Sequence, residues 1–261
     1  MSSRREEMLK EMGLAPLWTL RERARVGVAP PPALYEAGEA ALEASAIVAA
    51  SDSPLTAEEG AARRASIMQM DWLALKASVA ECVVCPLHAR RNKTVFGVGD
   101  ENAAWMFIGE GPGADEDALG DPFVGQAGRL LDNMLAAIGL SRGENVYIAN
   151  VVKCRPPGNR NPEPAEAEQC EPFLQRQIAL VQPKLIVALG RIAAQNLLAR
   201  EATIASLRGR LLDYKGIPLL VTYHPAYLLR NLTDKAKAWQ DLCLAVSTMR
   251  GLTAKPVLNA Q

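Results

Sequence analysis

Four short apolar runs divide the second half of the chain, at 104–108, 146–151, 185–189 and 218–223. Each is continuous rather than alternating, the pattern of a strand buried on both faces. Between and after them the apolar residues recur at helical spacing, predicting helices over 127–138, 164–181, 191–199 and 235–249. Strands that alternate with helices call for a parallel sheet with helices packed on both sides. Ligands of such sheets sit beyond the carboxyl ends of the strands. The polar and glycine-rich stretches of this chain come after its apolar runs in that way: Gly109 to Gly113, Asn150 with Lys153, Gly190 with Arg191, and His224 with Pro225. Four strand ends therefore point to one site.

The first 70 residues read differently. Met8, Leu9, Met12 and Leu14 fall at roughly helical spacing, so residues 1–25 are expected to form a short amphipathic helix, a candidate docking segment for a protein partner. Residues 26–66 are rich in Ala, Pro, Glu and Ser, with few large hydrophobes. Such a composition cannot bury enough surface to offset the cost of ordering, which predicts a largely disordered linker. The globular domain is expected over 67–255.

Composition adds little until charge is mapped. The 261-residue chain is 49% hydrophobic and balances 29 basic against 29 acidic residues. The balance hides a division. Residues 26–60 hold six acidic groups and no Lys or Arg, leaving a mildly basic body after residue 60. Any nucleic-acid contact must then come from a local patch. No apolar run approaches the ~20 residues of a membrane span, and the charged N-terminus carries no signal-peptide pattern. A cytoplasmic, nucleoid-associated monomer with no membrane contact is expected.

Five cysteines in a reducing compartment point to metal ligation or buried thiols rather than disulfides. Cys82 and Cys85 form a C-x2-C pair, with Cys154 and Cys170 beyond the second strand. Four soft ligands suit zinc or an iron–sulfur cluster. Spacing alone favours zinc, because the interval from Cys154 to Cys170 matches no common ferredoxin run. Cys243 falls beside Leu242 and Val246 and is expected to be a buried structural thiol.

Three segments carry a family likeness. Gly109, Glu110, Gly111, Pro112 and Gly113 run on through the acidic trio Asp115, Glu116, Asp117 to Gly120, Asp121, Pro122, Phe123, Val124 and Gly125. Asn150 to Pro157 reads NVVKCRPP, and His224 to Arg230 reads HPAYLLR. In this order, and with this cysteine arrangement, residues 71–250 resemble family 4 uracil-DNA glycosylases. The resemblance implies a three-layer α/β/α sandwich around a four-stranded parallel sheet. It also implies a structural 4Fe-4S cluster on Cys82, Cys85, Cys154 and Cys170 in place of zinc, and removal of uracil from DNA to leave an abasic site. The alternative is a uracil-binding or polymerase-associated module of the same fold without turnover.

Release of uracil leaves an anion and an oxocarbenium-like sugar, so the site must hold an everted base, stabilise the anion and place a water. Phe123, set among Gly, Asp and Pro, suits a stacking wall beside Gly111. The Asn150 amide can accept from uracil N3–H and donate to O4, whereas cytosine reverses that pattern. By the resemblance His224 donates to uracil O2. Glu110 and Glu116 are the candidates for holding water and facing the cation; a related glycosylase family has Asp and Tyr where this chain has Gly111 and Gly113. Gly125, Gln126 and Gly128 open a helix suited to a phosphate. Lys153, Arg155 and Arg230 are further backbone contacts, and Tyr227, Leu228 or Leu229 is expected to wedge into the base stack.

Overall fold

The protein, seen here as a computed structural model, is described over residues 56–254. The proposed docking segment 1–25 and most of the proposed linker lie outside the described residues. The last ten residues of that linker do not behave as one. Ala57–Ile67 forms helix α1, opened by a capping box in which Thr56 and Glu59 satisfy each other's backbone amides. Arg64 ties it to a later helix through Glu171 at 2.8 Å and Gln175 at 2.9 Å. Composition misread this stretch because its anchoring side chains are charged. Helix α2, Trp72–Ala80, comes next, with Asp71 capping Ala74 N–H at 2.8 Å.

The sheet is built from β1 (Val98–Gly99), β2 (Trp105–Gly109), β3 (Val146–Asn150), β4 (Leu185–Leu189), β5 (Leu212–Tyr214) and β6 (Ile217–Thr222). Its order is β1-β3-β2-β4-β6-β5. The four expected strands form the parallel centre. Two short antiparallel strands extend the edges, making six rather than four. Runs of two and three residues are too short to show a strand period. Gly99 also needs to lack a side chain, since a Cβ there would collide with the Val146 carbonyl oxygen.

The remaining helices are α3 (Ala114–Leu119), α4 (Gln126–Ala137), α5 (Pro164–Val181), α6 (Arg191–Leu198), α7 (Ile204–Leu207), α8 (Pro225–Arg230) and α9 (Lys235–Thr253). Side chains of the central strands alternate between two cores. Met106, Ile108, Ile186, Ala188 and Val221 pack with Phe173 and Leu174 of α5 and Ala193 of α6. Phe107, Ile148, Val187 and Leu220 pack with Leu131 and Leu135 of α4 and Met249 of α9. The result is the expected three layers. Every residue of β2, β3 and β4 is buried, which is why their sequences read as unbroken apolar runs.

One residue contradicts the helical pattern. Helix α9 buries Ala238, Asp241, Leu242, Ala245 and Met249, and Cys243, one step past that stripe, is exposed. A step of ~100° is enough to carry a side chain off a helix face. In the native protein a colorimetric thiol reagent should therefore react with Cys243 in a fast phase that Cys243→Ser removes. An unchanged fast phase in that variant would show the thiol to be covered.

Candidate active site at the strand ends

Register brings the site together. Gly109 pairs with Asn150 across β2 and β3, Leu189 pairs with Thr222 across β4 and β6, and Gly190 N–H donates to Thr222 O at 2.8 Å. The residues just beyond these positions line a cleft of about 610 Å³. Glu110, Gly111, Glu116, Phe123, Asn150 and His224, named from sequence as base-site or catalytic candidates, all face it. Tyr227 and Arg230 do so as well.

Gly109 sets the floor. A Cβ there would collide with Asn150 Oδ1 and lie 2.6 Å from Phe123 Cζ, so only glycine lets the two side chains meet over the strand end. Asn150 is 2% exposed, and its Oδ1 has no hydrogen-bond partner. A buried acceptor left unpaired costs about 1–3 kcal/mol, and here it sits on a cleft wall. Phe123 adopts a positive φ of 56°, a conformation costing a non-glycine residue roughly 1–2 kcal/mol. Arg142 secures it by donating to the carbonyls of Pro122 and Phe123, both at 2.8 Å. The Phe123 ring lies 5.5 Å from the His224 ring, tilted by 31°.

His224 caps α8, its Nδ1 accepting from Ala226 N–H at 3.1 Å. That bond assigns the proton of a neutral ring to Nε2, leaving Nε2–H as a donor. Burial, helped by Arg230, lowers its pKa to about 4, so the ring is neutral at ordinary pH. Glu110 is shifted the other way, its carboxyl raised by burial, against a smaller opposing pull from Arg191.

Glu116 is engaged elsewhere. Its carboxylate accepts from the amides of Gly113 (3.0 Å), Val124 (3.0 Å) and Gly125 (3.2 Å), binding the two glycine-rich loops to each other. Its neighbour Asp117 is buried and accepts from Asn92 N and Nδ2 at 2.9 and 2.7 Å. That acid pins the cysteine loop rather than facing the cleft.

Several expected DNA contacts do not stand where sequence suggested. Lys153 is 1% exposed and donates to Asn150 O at 2.9 Å and Gln177 Oε1 at 2.6 Å, so it cannot reach a phosphate. Leu228 is buried in a small core with Met134 and Tyr223, which removes it as a wedge. Gly128 is buried against Phe123, where a Cβ would clash with the Phe123 carbonyl. Gly125 spends its amide on Glu116, while Gln126 is exposed at the start of α4. Arg155 is not itself a lining residue but donates to Asn159, which is, at 2.7 Å. The cleft also takes in Pro156, Asn159, Asn161 and Arg191. Of these Arg191 carried a signal, as the charged residue just after a strand end.

The C-x2-C pair, Cys154 and Cys170 line a separate small hollow with Arg91 and Lys153. Donors aim at the sulfurs: Arg91 at Cys154 Sγ (3.2 Å), Lys153 N–H at Cys170 Sγ (3.3 Å) and Arg63 at Cys82 Sγ (3.8 Å). Such donors suit thiolates that carry a metal centre. Among the described residues, no three His, Cys, Asp or Glu side chains gather closely enough to hold a single metal ion.

A sandwich with ligand groups converging at its strand ends, beside a four-cysteine hollow, defines a class that comparison makes specific. Residues 96–243 match the family model described as the uracil DNA glycosylase superfamily. The chain is similar to the type-4 uracil-DNA glycosylase of Archaeoglobus fulgidus, 48% identical over 159 residues, or 58% of this chain and 79% of that protein. Its similarity to the type-4 enzyme of Thermotoga maritima is 45% identity over 61% of this chain and 83% of the relative. For the type-4 enzyme of Pyrobaculum aerophilum the values are 40%, 67% and 93%. The chain belongs to the uracil DNA glycosylase superfamily.

The lowered pKa of His224 makes a stability prediction. Between its ordinary value near 6.5 and its folded value near 4, the unfolded chain binds a proton that the folded one does not. Stability therefore falls as pH drops through that window, by up to about 3 kcal/mol from this one group. Urea unfolding of wild type should weaken by about that much more than His224→Gln between pH 7.5 and pH 4. Equal losses in the two proteins would contradict the buried neutral ring.

Proposed function

We infer that this protein hydrolyses the N-glycosidic bond of deoxyuridine in DNA, releasing uracil and leaving an abasic site for repair. The observation that carries the reading of the site is the buried, unpartnered Oδ1 of Asn150 facing the same cleft as Phe123 and His224.

In this reading the everted uracil stacks on Phe123. Asn150 Oδ1 accepts from N3–H and Nδ2 donates to O4. Cytosine presents an acceptor at N3 and a donor at C4, mispairing both groups at about 1–3 kcal/mol each. As the C1′–N1 bond breaks, its electron pair passes to uracil and negative charge grows on O2, where the neutral Nε2–H of His224 donates. A preorganised donor of this kind is worth roughly 3–4 kcal/mol. Glu110, ionised above its raised pKa, faces the sugar cation and orients the water that attacks C1′. Glu116 holds the loops that shape the pocket, since all its bonds are to their amides.

Arg191 and Arg230 are exposed at the cleft rim and are assigned to phosphates. Gln126 extends that edge. Of the wedge candidates, Leu229 is 39% exposed, whereas Tyr227 donates its hydroxyl to Asp234 at 2.7 Å and stacks on Tyr223. The assignment therefore goes to Leu229. Among the described residues no lysine lines the cleft, which supports a glycosylase without lyase activity.

Cys82, Cys85, Cys154 and Cys170 are assigned as ligands of a 4Fe-4S cluster. Four thiolates around one hollow, with cationic and amide donors on their sulfurs, fit that group. The cluster supplies structural cross-linking of α2's loop, β3's exit and α5. Zinc is the alternative occupant. We also propose that the protein acts as a monomer on chromosomal DNA, with residues 1–25 available to a protein partner. Among the described residues no helix is long and apolar enough to cross a membrane.

An oligonucleotide with one deoxyuridine should break at that position after enzyme and alkali, and stay intact after enzyme alone. Asn150→Ala and His224→Ala should each slow release by about 10²–10³-fold with circular dichroism unchanged. Intact strands at stoichiometric wild-type enzyme would reject the activity.

The metal assignment has its own check. Purified protein should be brown and contain about four irons per chain, as a 4Fe-4S site requires. Cys154→Ser should lose most of that iron along with soluble yield. Colourless, zinc-loaded protein would transfer the site to zinc.

A further inference from the structure

Lys153 is the one lysine among the buried polar and charged side chains of the described residues, and nothing in the uracil reading uses it. Its side chain turns back along the exit of β3. Nζ donates to the main-chain oxygen of Asn150 at 2.9 Å and to Gln177 Oε1 at 2.6 Å. Its own amide donates to Cys170 Sγ at 3.3 Å, and the residue helps line the cysteine hollow. Gln177 lies seven residues beyond Cys170 on α5, two turns along the same face. It is fixed in turn, donating to Phe96 O at 2.9 Å and Tyr147 Oη at 3.3 Å.

The strand end gives this arrangement its consequence. The Val151 amide pairs with the Gly109 carbonyl, and the Val152 amide with the Glu110 carbonyl, just beyond the paired strand residues. The Asn150 carbonyl lies one position short of the first of these bonds and takes its donor from Lys153. A buried carbonyl needs such a donor, and a charged one holds it more strongly than a neutral one. The peptide plane next to the Asn150 side chain is thus held by an ammonium anchored on α5, beside the thiols.

We propose that Lys153 is a positioning residue for base recognition, holding Asn150 in its reading geometry and tying that geometry to the packing of the cysteine hollow. The proposal rests on Asn150 reading the base. Its functional consequence is that disturbance of the hollow degrades discrimination between uracil and cytosine, in addition to stability.

The test compares wild type, Lys153→Met, Gln177→Met and Asn150→Ala. The readouts are kcat and KM for uracil release, iron per chain, and equilibrium binding of two uncleaved oligonucleotides. One oligonucleotide carries 2′-fluoro-2′-deoxyuridine and the other 2′-fluoro-2′-deoxycytidine, whose N3 and N4 reverse the pattern that Asn150 reads. Lys153→Met is expected to lose at least tenfold in kcat per iron-loaded molecule, with KM within threefold. Its binding preference for the fluorinated uridine should fall at least fivefold, and Gln177→Met should show a loss of at least threefold. Activity that falls only in proportion to iron content, with preference at the wild-type value, overturns the proposal. If Lys153→Met is insoluble, Gln177→Met decides by the same criteria. Preference retained in Asn150→Ala overturns the base-reading role itself and the proposal with it. Preference lost there but kept in the other two variants overturns the proposal alone.

Discussion

The site depends on the shared ending of parallel strands. Because β2, β3, β4 and β6 run the same way and stop at nearly the same level, the loops leaving them open onto one side of the sheet. A slip of one residue would turn Asn150 from the cleft to the opposite face, since strand side chains alternate. The pairing of Gly109 with Asn150 prevents that slip, and the absence of a side chain at Gly109 lets the Asn150 amide and the Phe123 ring share one space. Both tightly packed cores support the same register from opposite faces.

Within that frame the polar groups divide by environment. Asn150 presents an acceptor for which the fold provides no partner, and a base edge can supply one. His224 is desolvated and held in one tautomer, and so presents a neutral N–H donor. Glu110 and Glu116, six residues apart, have diverged in role: one carboxylate is raised by burial and free of backbone bonds, the other is consumed by three amides. Sequence could not separate them, because the difference lies in which loop amides come near.

Burial also decided how much of the fold was legible in the chain. The four central strands were plain because burial on both faces leaves an unbroken apolar run, and the candidates Glu110, Asn150 and His224 were legible because they stand at or just past the ends of those runs. Short edge strands β1 and β5 carry too few residues to show a period. Lys153 was expected at the DNA backbone, since its partner Gln177 lies 24 positions away on α5. Cys243 sat one helical step from a face that sequence spacing cannot place that finely. Helix α1 stayed hidden because its attachment is ionic, through Arg64 and Glu171.

Arg142 extends the site's reach into the surface. It stands in the turn between α4 and β3, bonded to Asp132 at 2.9 Å, and its guanidinium grips the two carbonyls that keep Phe123 in a left-handed backbone. The Phe123 ring is consequently preset on the cleft wall, and its stiffness is controlled from the rim of the molecule. A patch that would otherwise be free to drift in composition thereby inherits the constraints of the cleft. Surface engineering for solubility or immobilisation would have to treat this turn as part of the cleft.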